Sequence, residues 1–190
     1  MRLEDKTVLV TGAWSGIGQA TAVRCAEEGA FVVVTDINDE SGAETVEMVE
    51  DLETGGAEFR ELDVTDADQF DEVALDVAEE HGLDVVVNNA GVGHPPNSME
   101  DVDPSIRDFV IDVNVKGVWN GCAAALPVMK EQGHGAIVNV GSLASILGLP
   151  KQSAYSLSKG AVLNFTRAVA AEAGPYGVRA NTVCPGFTDT

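Results

Sequence analysis

Lys6–Gly18, KTVLVTGAWSGIG, is a β-branched run that stops at a glycine cluster and resumes with helical spacing. Ile17, Ala20, Val23 and Ala26 recur at helical intervals until Gly29 ends the pattern, so strand, loop and helix follow one another directly. The loop Gly12-Ala13-Trp14-Ser15-Gly16-Ile17-Gly18 therefore lies where free backbone N–H groups and the helix dipole favour an anion such as pyrophosphate. Its glycines let the backbone approach phosphate with no Cβ in the way. The spacing Gly12-x-x-x-Gly16-x-Gly18 differs from the common Gly-x-Gly-x-x-Gly fingerprint, and its weight comes from the strand–loop–helix context.

The same alternation continues along the chain. Phe31–Thr35 is a second strand ending in Asp36, Glu40–Glu53 an acidic helix, and Glu58–Leu62 a third strand ending at Asp63. A helix over Asp66–Glu80 precedes a buried strand, Asp84–Val87, that runs into Asn88-Asn89-Ala90-Gly91. Pro104 opens a long helix to about Gln132, with Pro127 the place where it is expected to kink or end early. Ala136–Val140, a helix over Gln152–Ala173 and a sixth strand, Val178–Cys184, complete the series. Strands apolar on both faces, alternating with helices, predict one doubly wound α/β domain with a parallel sheet over residues 1–190.

Asp36, 18 residues beyond Gly18, stands where a carboxylate can accept from two ribose hydroxyls and would repel a 2′-phosphate. No Arg or Lys occurs between Gly12 and Gly18 or directly after Asp36. That favours NAD over NADP. Farther along, Tyr155 and Lys159 lie four residues apart on one helical face, so phenol and ammonium can share a pocket. A neighbouring positive charge favours phenolate and makes tyrosine a usable acid and base. Ser142, at the end of the run GAIVNVGS, can return its hydroxyl to the same place.

Charge excludes some partners. Asp and Glu total 31 against 11 Lys and Arg, a formal net charge of −20, which repels phosphate backbones and argues against nucleic acid. With only five lysines, the balance points to a salt-rich cytoplasm where such self-repulsion is screened. An ordinary acidic cytosolic protein is the alternative. No apolar run is long enough to span a bilayer, and the acidic start MRLEDKTVLV is no signal peptide. Cys25, Cys122 and Cys184 are scattered and fit a reducing compartment. His81, His94 and His134 are far apart, so no metal is expected; His94, in the loop after Gly91, is the one placed to line a substrate pocket. The helices over about 105–132 and 152–173 are apolar on more than one face, which suits a homo-oligomer interface or core packing.

Taken together, Thr11–Gly18, Asp63-Val64, Asn88–Gly91, Asn114, Ser142, Tyr155-x-x-x-Lys159 and Pro185-Gly186 resemble the short-chain dehydrogenase/reductase family over Lys6–Thr190. The resemblance implies a Rossmann fold and hydride transfer between a nicotinamide and a secondary alcohol or ketone. A sugar such as glucose and a 3-oxoacyl compound are both open as substrates. It implies that Asp63 and Val64 hold adenine, and that Asn89, Ala90 and Gly91 lie beside the cofactor. Tyr155 would be the general acid/base and Lys159 would bind the nicotinamide ribose. Ser142 would polarise the substrate oxygen, Asn114 would hold a water linking Lys159 to solvent, and Thr188 and Thr190 would meet the carboxamide.

The resemblance also implies a longer chain, with a substrate lid and a seventh strand beyond Thr190. A fragment of a longer protein is the expectation. A non-catalytic nucleotide-binding remnant, dimeric through the two long helices, is the alternative to an enzyme.

Overall fold

The computed structural model describes residues 1–52 and 54–188. Six strands form one parallel sheet: β1 (Thr7–Thr11), β2 (Phe31–Asp36), β3 (Gly56–Glu61), β4 (Val85–Asn88), β5 (Gly135–Val140) and β6 (Val178–Val183). Their order is β3-β2-β1-β4-β5-β6. Connecting them are α1 (Gly16–Glu27), α2 (Asp39–Glu50), α3 (Ala67–His81), α4 (Pro104–Ile111), α5 (Gly117–Gln132) and α6 (Ser153–Ala173). This is the expected doubly wound Rossmann-type α/β arrangement, with element boundaries moved by a few residues.

Alternation within the apolar strands builds two cores. In β1 and β2, Val8, Val10, Val32 and Val34 point to one face, where Ala22, Ala26 and Val49 of α1 and α2 cover them. Leu9 and Val33 point to the other, under Phe70, Val77, Val118, Met129 and Val162 of α3, α5 and α6. Because the chain reverses its direction of strand addition between β1 and β4, a crevice opens at the carboxyl ends of these two strands.

The single long helix expected from Pro104 is three pieces. Between α4 and α5, Asp112–Lys116 form a π turn. Pro127 does not end α5, which runs on to Gln132. Pro127 and Ala123, whose carbonyl its ring faces, are both exposed, so that carbonyl is free to bond water. Among the described residues β6 pairs only with β5, leaving it at a sheet edge.

Candidate active site

Where β1 ends, Gly12 turns the chain at φ 63°, and a Cβ there would lie 2.7 Å from Ala90 Cα. Close approach of the two strand ends is thus what this position requires. Hydrogen bonds hold them together. Thr11 Oγ1 accepts from the backbone N–H groups of Asn89 and Ala90, each at 3.0 Å. Asn89 Nδ2 donates to the carbonyls of Thr11 and Gly12, each at 2.9 Å. The first turn of α1 follows, and the side chain of its N-cap residue, Ser15, caps none of the N–H groups there. Those donors face a cleft of about 730 Å³.

That cleft collects almost every residue singled out from the sequence. Gly12, Ser15, Gly16, Ile17 and Gly18 line one wall, with Asp36, Asp63 and Val64 at the same end. Asn89, Ala90 and Gly91 form its floor, and Ser142, Tyr155, Lys159, Pro185, Gly186 and Thr188 line the far end. Asn114 lies behind the floor, outside the lining, and Thr190 lies outside the described residues.

Lys159 is the only cationic side chain among the described residues of the cleft. It is 3% exposed, donates to the Val140 carbonyl at 2.8 Å, and its Nζ lies 5.9 Å from the centre of the Tyr155 ring. Burial pushes its ammonium down to about 8, against a weaker upward pull from Cys184. Gly91 makes room for it: a Cβ there would stand 3.1 Å from Lys159 Nζ and 3.2 Å from Asn114 Oδ1. At the other end, burial raises the Asp36 carboxyl above its ordinary range, while backbone N–H groups of Asn38, Ile37 and Trp14 pull it back.

Ser142 caps a short turn, its Oγ accepting from Ala144 N at 3.1 Å while its own N–H donates to Ser145 Oγ at 3.0 Å. With Oγ used there as an acceptor, its hydroxyl hydrogen is free to point elsewhere. The next residue, Leu143, ties this turn to the β6 side by donating to the Pro185 carbonyl at 2.8 Å. Asn114, fully buried in the π turn, accepts from Val92 N at 2.7 Å and donates to Val92 O at 2.9 Å and Ser158 Oγ at 3.0 Å. Both its amide hydrogens are therefore used, and the expected water would have only the second lone pair of Oδ1 or a backbone group of the π turn.

Sequence reasoning passed over Gln152 and Ser158. Gln152 lines the cleft beside Tyr155 and donates to the His94 carbonyl at 2.9 Å. Ser158 donates to the Tyr155 carbonyl at 2.8 Å, so it links the tyrosine turn to Asn114. A serine three residues after Tyr155 on the buried side of the helix was the available signal. His94, singled out as a pocket residue, is instead buried with Nδ1 against the Pro95 carbonyl at 2.8 Å, outside the cleft lining. His81 ends α3 near Glu58 and Glu80, but Arg60 is paired with both carboxylates. The three cysteines are free, and burial raises the Cys122 thiol to about 11.

The donor set suits a nicotinamide dinucleotide. Uncapped N–H groups could take an anion such as pyrophosphate, a strand-end carboxylate could accept from hydroxyls, and a lysine, tyrosine and serine line the opposite end.

Known proteins agree. The model of the short chain dehydrogenase family matches residues 6–190. The chain is 42% identical over 193 residues to a 3-oxoacyl-[acyl-carrier-protein] reductase of Thermotoga maritima, covering 100% of this chain and 77% of that protein. It is 41% identical over 191 residues to a 3beta-hydroxysteroid dehydrogenase of Mediterraneibacter gnavus, covering 100% of this chain and 68% of that one. A solved NAD+-bound xylitol dehydrogenase superposes with a TM-score of 0.95 at 32% identity, over 98% of this chain and 72% of that one. The chain belongs to the short-chain dehydrogenase family, oxidoreductases that use a nicotinamide cofactor on alcohols and ketones.

Proposed function

We propose that this protein is an NAD-dependent oxidoreductase of secondary alcohols and their ketones, with Tyr155 as the general acid/base. One observation carries the reading: the uncapped start of α1, Asp36, and the Ser142–Tyr155–Lys159 group open into one continuous cleft. When bound, the nicotinamide accepts or returns the hydride. Tyr155 takes the alcohol proton in oxidation and gives it back in reduction. Ser142 donates its free hydroxyl hydrogen to the substrate oxygen and so holds it beside the phenol. Lys159 has two ammonium hydrogens beyond its bond to Val140, which suit a ribose hydroxyl. Asn114 and Ser158 keep the turn that carries Tyr155 and the loop at Val92 in register.

Asp36, with Ile37 after it, offers a 2′-phosphate repulsion and no cation, which favours NAD. Two structural neighbours, xylitol dehydrogenase and a Mycobacterium avium carveol dehydrogenase, were solved with that cofactor. A sugar or polyol and a 3-oxoacyl compound are both compatible substrates. Exposed Phe109, Trp119 and Leu157, with Trp119 stacked on Phe165 at 5.2 Å, support association through the faces of α4, α5 and α6. No helix of the described residues is long and apolar enough to cross a membrane, and the acidic composition fits a salt-rich cytoplasm.

The test is a panel of secondary alcohols and ketones assayed with NAD and NADH in molar KCl, alongside Tyr155→Phe. Turnover is expected in the wild type and its loss in the variant, with NAD affinity changed by less than about tenfold, or ~1.4 kcal/mol. Tight NAD binding without turnover on any substrate would leave a nucleotide-binding protein and reject the enzyme.

A further inference from the structure

We propose that Gln152 is a specificity-determining residue whose amide oxygen accepts from a hydroxyl on the carbon next to the reacting one. It thereby selects α-hydroxy ketones and vicinal diols, the chemistry of polyols, over 3-oxoacyl compounds. The inference rests on the oxidoreductase reading above and decides between the two substrate classes that reading leaves open.

Among the described residues, five polar side chains line the reactive end of the cleft: Ser142, Gln152, Tyr155, Lys159 and Thr188. In the oxidoreductase reading Ser142 and Tyr155 serve the reacting oxygen, and Lys159 and Thr188 serve the cofactor. Gln152 has no part in either task. It stands three residues before Tyr155 as the N-cap of α6, yet its side chain caps none of the N–H groups there.

Its own bonds orient the amide. Nε2 donates to the His94 carbonyl at 2.9 Å, and only the nitrogen end of an amide can serve that carbonyl, so Oε1 is the end left over. Oε1 has no partner among the described residues, and it is not one of their sealed, unbonded atoms, which are Asn88 Oδ1, His94 Nε2 and Thr182 Oγ1. It is therefore an open acceptor with both lone pairs free. The backbone beneath it is fixed as well. Gln152 N donates to the Leu149 carbonyl at 3.1 Å, Ser156 N donates to the Gln152 carbonyl at 2.8 Å, and Asn97 N donates to the Lys151 carbonyl at 3.0 Å. Lys151, directly before it, holds φ 63°, the left-handed region that favours glycine. Strain of that kind is kept where the surrounding structure must aim a neighbouring group.

A substrate whose oxygen is held by Ser142 and Tyr155 brings a substituent of its reacting carbon beside Gln152. An open amide oxygen there is satisfied by water or by a hydroxyl, and not by another acceptor. An α-hydroxy ketone replaces the water with a hydroxyl on the adjacent carbon. A 3-oxoacyl thioester displaces the same water and offers an acyl carbonyl with no proton to share, leaving Oε1 unpaired. Sites built to bond a substrate hydroxyl discriminate strongly against analogues that lack it.

The test is reduction by NADH in molar KCl of three ketones: 3-hydroxy-2-butanone, 3-methoxy-2-butanone and an acetoacetyl thioester. The methoxy compound keeps the neighbouring oxygen and removes its hydrogen. The quantity read is the ratio of kcat/KM values, in which any general loss of activity cancels. The wild type is expected to prefer the hydroxy ketone to each of the others by about tenfold or more, and Gln152→Leu to lower both ratios about tenfold. A wild type that reduces the methoxy ketone or the thioester as well as the hydroxy ketone would overturn the assignment while leaving the oxidoreductase reading intact. So would a preference that survives unchanged in Gln152→Leu, since another group would then be its source. Failure of the wild type to reduce these three or any member of the wider alcohol and ketone panel, despite binding NADH, would overturn both.

Discussion

Lys159 carries the clearest conflict between stability and chemistry. A buried ammonium with one carbonyl partner costs folding energy, because the unfolded chain holds the same charge in water. Its pKa falls from 10.5 to about 8, and at ~1.36 kcal/mol per unit that amounts to about 3 kcal/mol. Below pH 8 both states are protonated and the full cost is present. Between pH 8 and 10.5 the folded protein has released the proton while the unfolded chain has not. The contribution therefore becomes less unfavourable as pH rises through that window. Lys159→Met should accordingly stabilise the cofactor-free protein at pH 7 by about 1–3 kcal/mol, after allowing for the lost bond to Val140. The advantage should fade towards pH 10.5. Urea unfolding of both proteins across pH 7–10.5 measures it; equal stabilities at pH 7 would show that the ammonium is better solvated than its burial implies. Retaining a group that destabilises the empty fold is what a binding and proton-handling role would require.

At the scale of elements, a buried polar ladder fixes how α6, the helix that carries Tyr155 and Lys159, sits on the sheet. Asn88 at the end of β4 donates to Asn139 Oδ1 on β5 at 2.8 Å. Asn139 Nδ2 in turn donates to Thr166 Oγ1 on α6 at 2.9 Å, and Thr166 donates to the Val162 carbonyl at 2.7 Å. All three residues are nearly or fully buried. Asn139→Ala would leave the Asn88 amide with only Cys122 Sγ, at 3.6 Å, as an acceptor and remove a donor from Thr166, a loss of about 2–4 kcal/mol. Denaturant unfolding checks this, and a change under about 0.5 kcal/mol would mean that water replaces the missing amide. The ladder also marks the boundary of what could be read without coordinates. Strand–loop–helix order and the positions of Gly12, Asp36 and Tyr155 followed from local patterns, and so the fold and more than half of the cleft lining were legible. Asn139 and Thr166 were not, because their value is a contact across 27 residues between a strand and a helix that each look merely apolar. The π turn escaped for a related reason: Asp112–Lys116 carries no breaker, and its extra residue is imposed by the anchoring of Asn114 to Val92 and Ser158. His94 misled in the opposite direction. Its place after Gly91 suggested the pocket, yet it is Gln152, bonded to the His94 carbonyl, that faces the cleft.

For the whole molecule the dominant force beyond the core is self-repulsion. A net charge of −20 on 190 residues is distributed mainly over solvated helix faces: Asp39, Glu40, Glu44, Glu47 and Glu50 of α2 are all exposed, as are Asp68, Asp71, Glu72, Asp76 and Glu79 of α3. Few of these charges have a cationic neighbour, so folding crowds like charges that the unfolded chain keeps apart. Salt relieves this by shortening the Debye length from ~10 Å at 0.1 M to ~3 Å at 1 M. The melting temperature should therefore climb steeply up to about 1 M KCl, by ~5 °C or more, and flatten beyond it. Excluded-solute stabilisation would instead keep rising with concentration. A triple exchange on α2, Glu44→Lys with Glu47→Lys and Glu50→Lys, separates the two causes, since each exchange raises the net charge by two and the set brings it from −20 to −14. Under repulsion the variant is the more stable protein in 0.1 M KCl and the two converge in 2 M. A wild-type melting temperature indifferent to KCl, or a variant no more stable at low salt, would mean that the acidic surface is tolerated without cost and says nothing about the salinity in which the enzyme works.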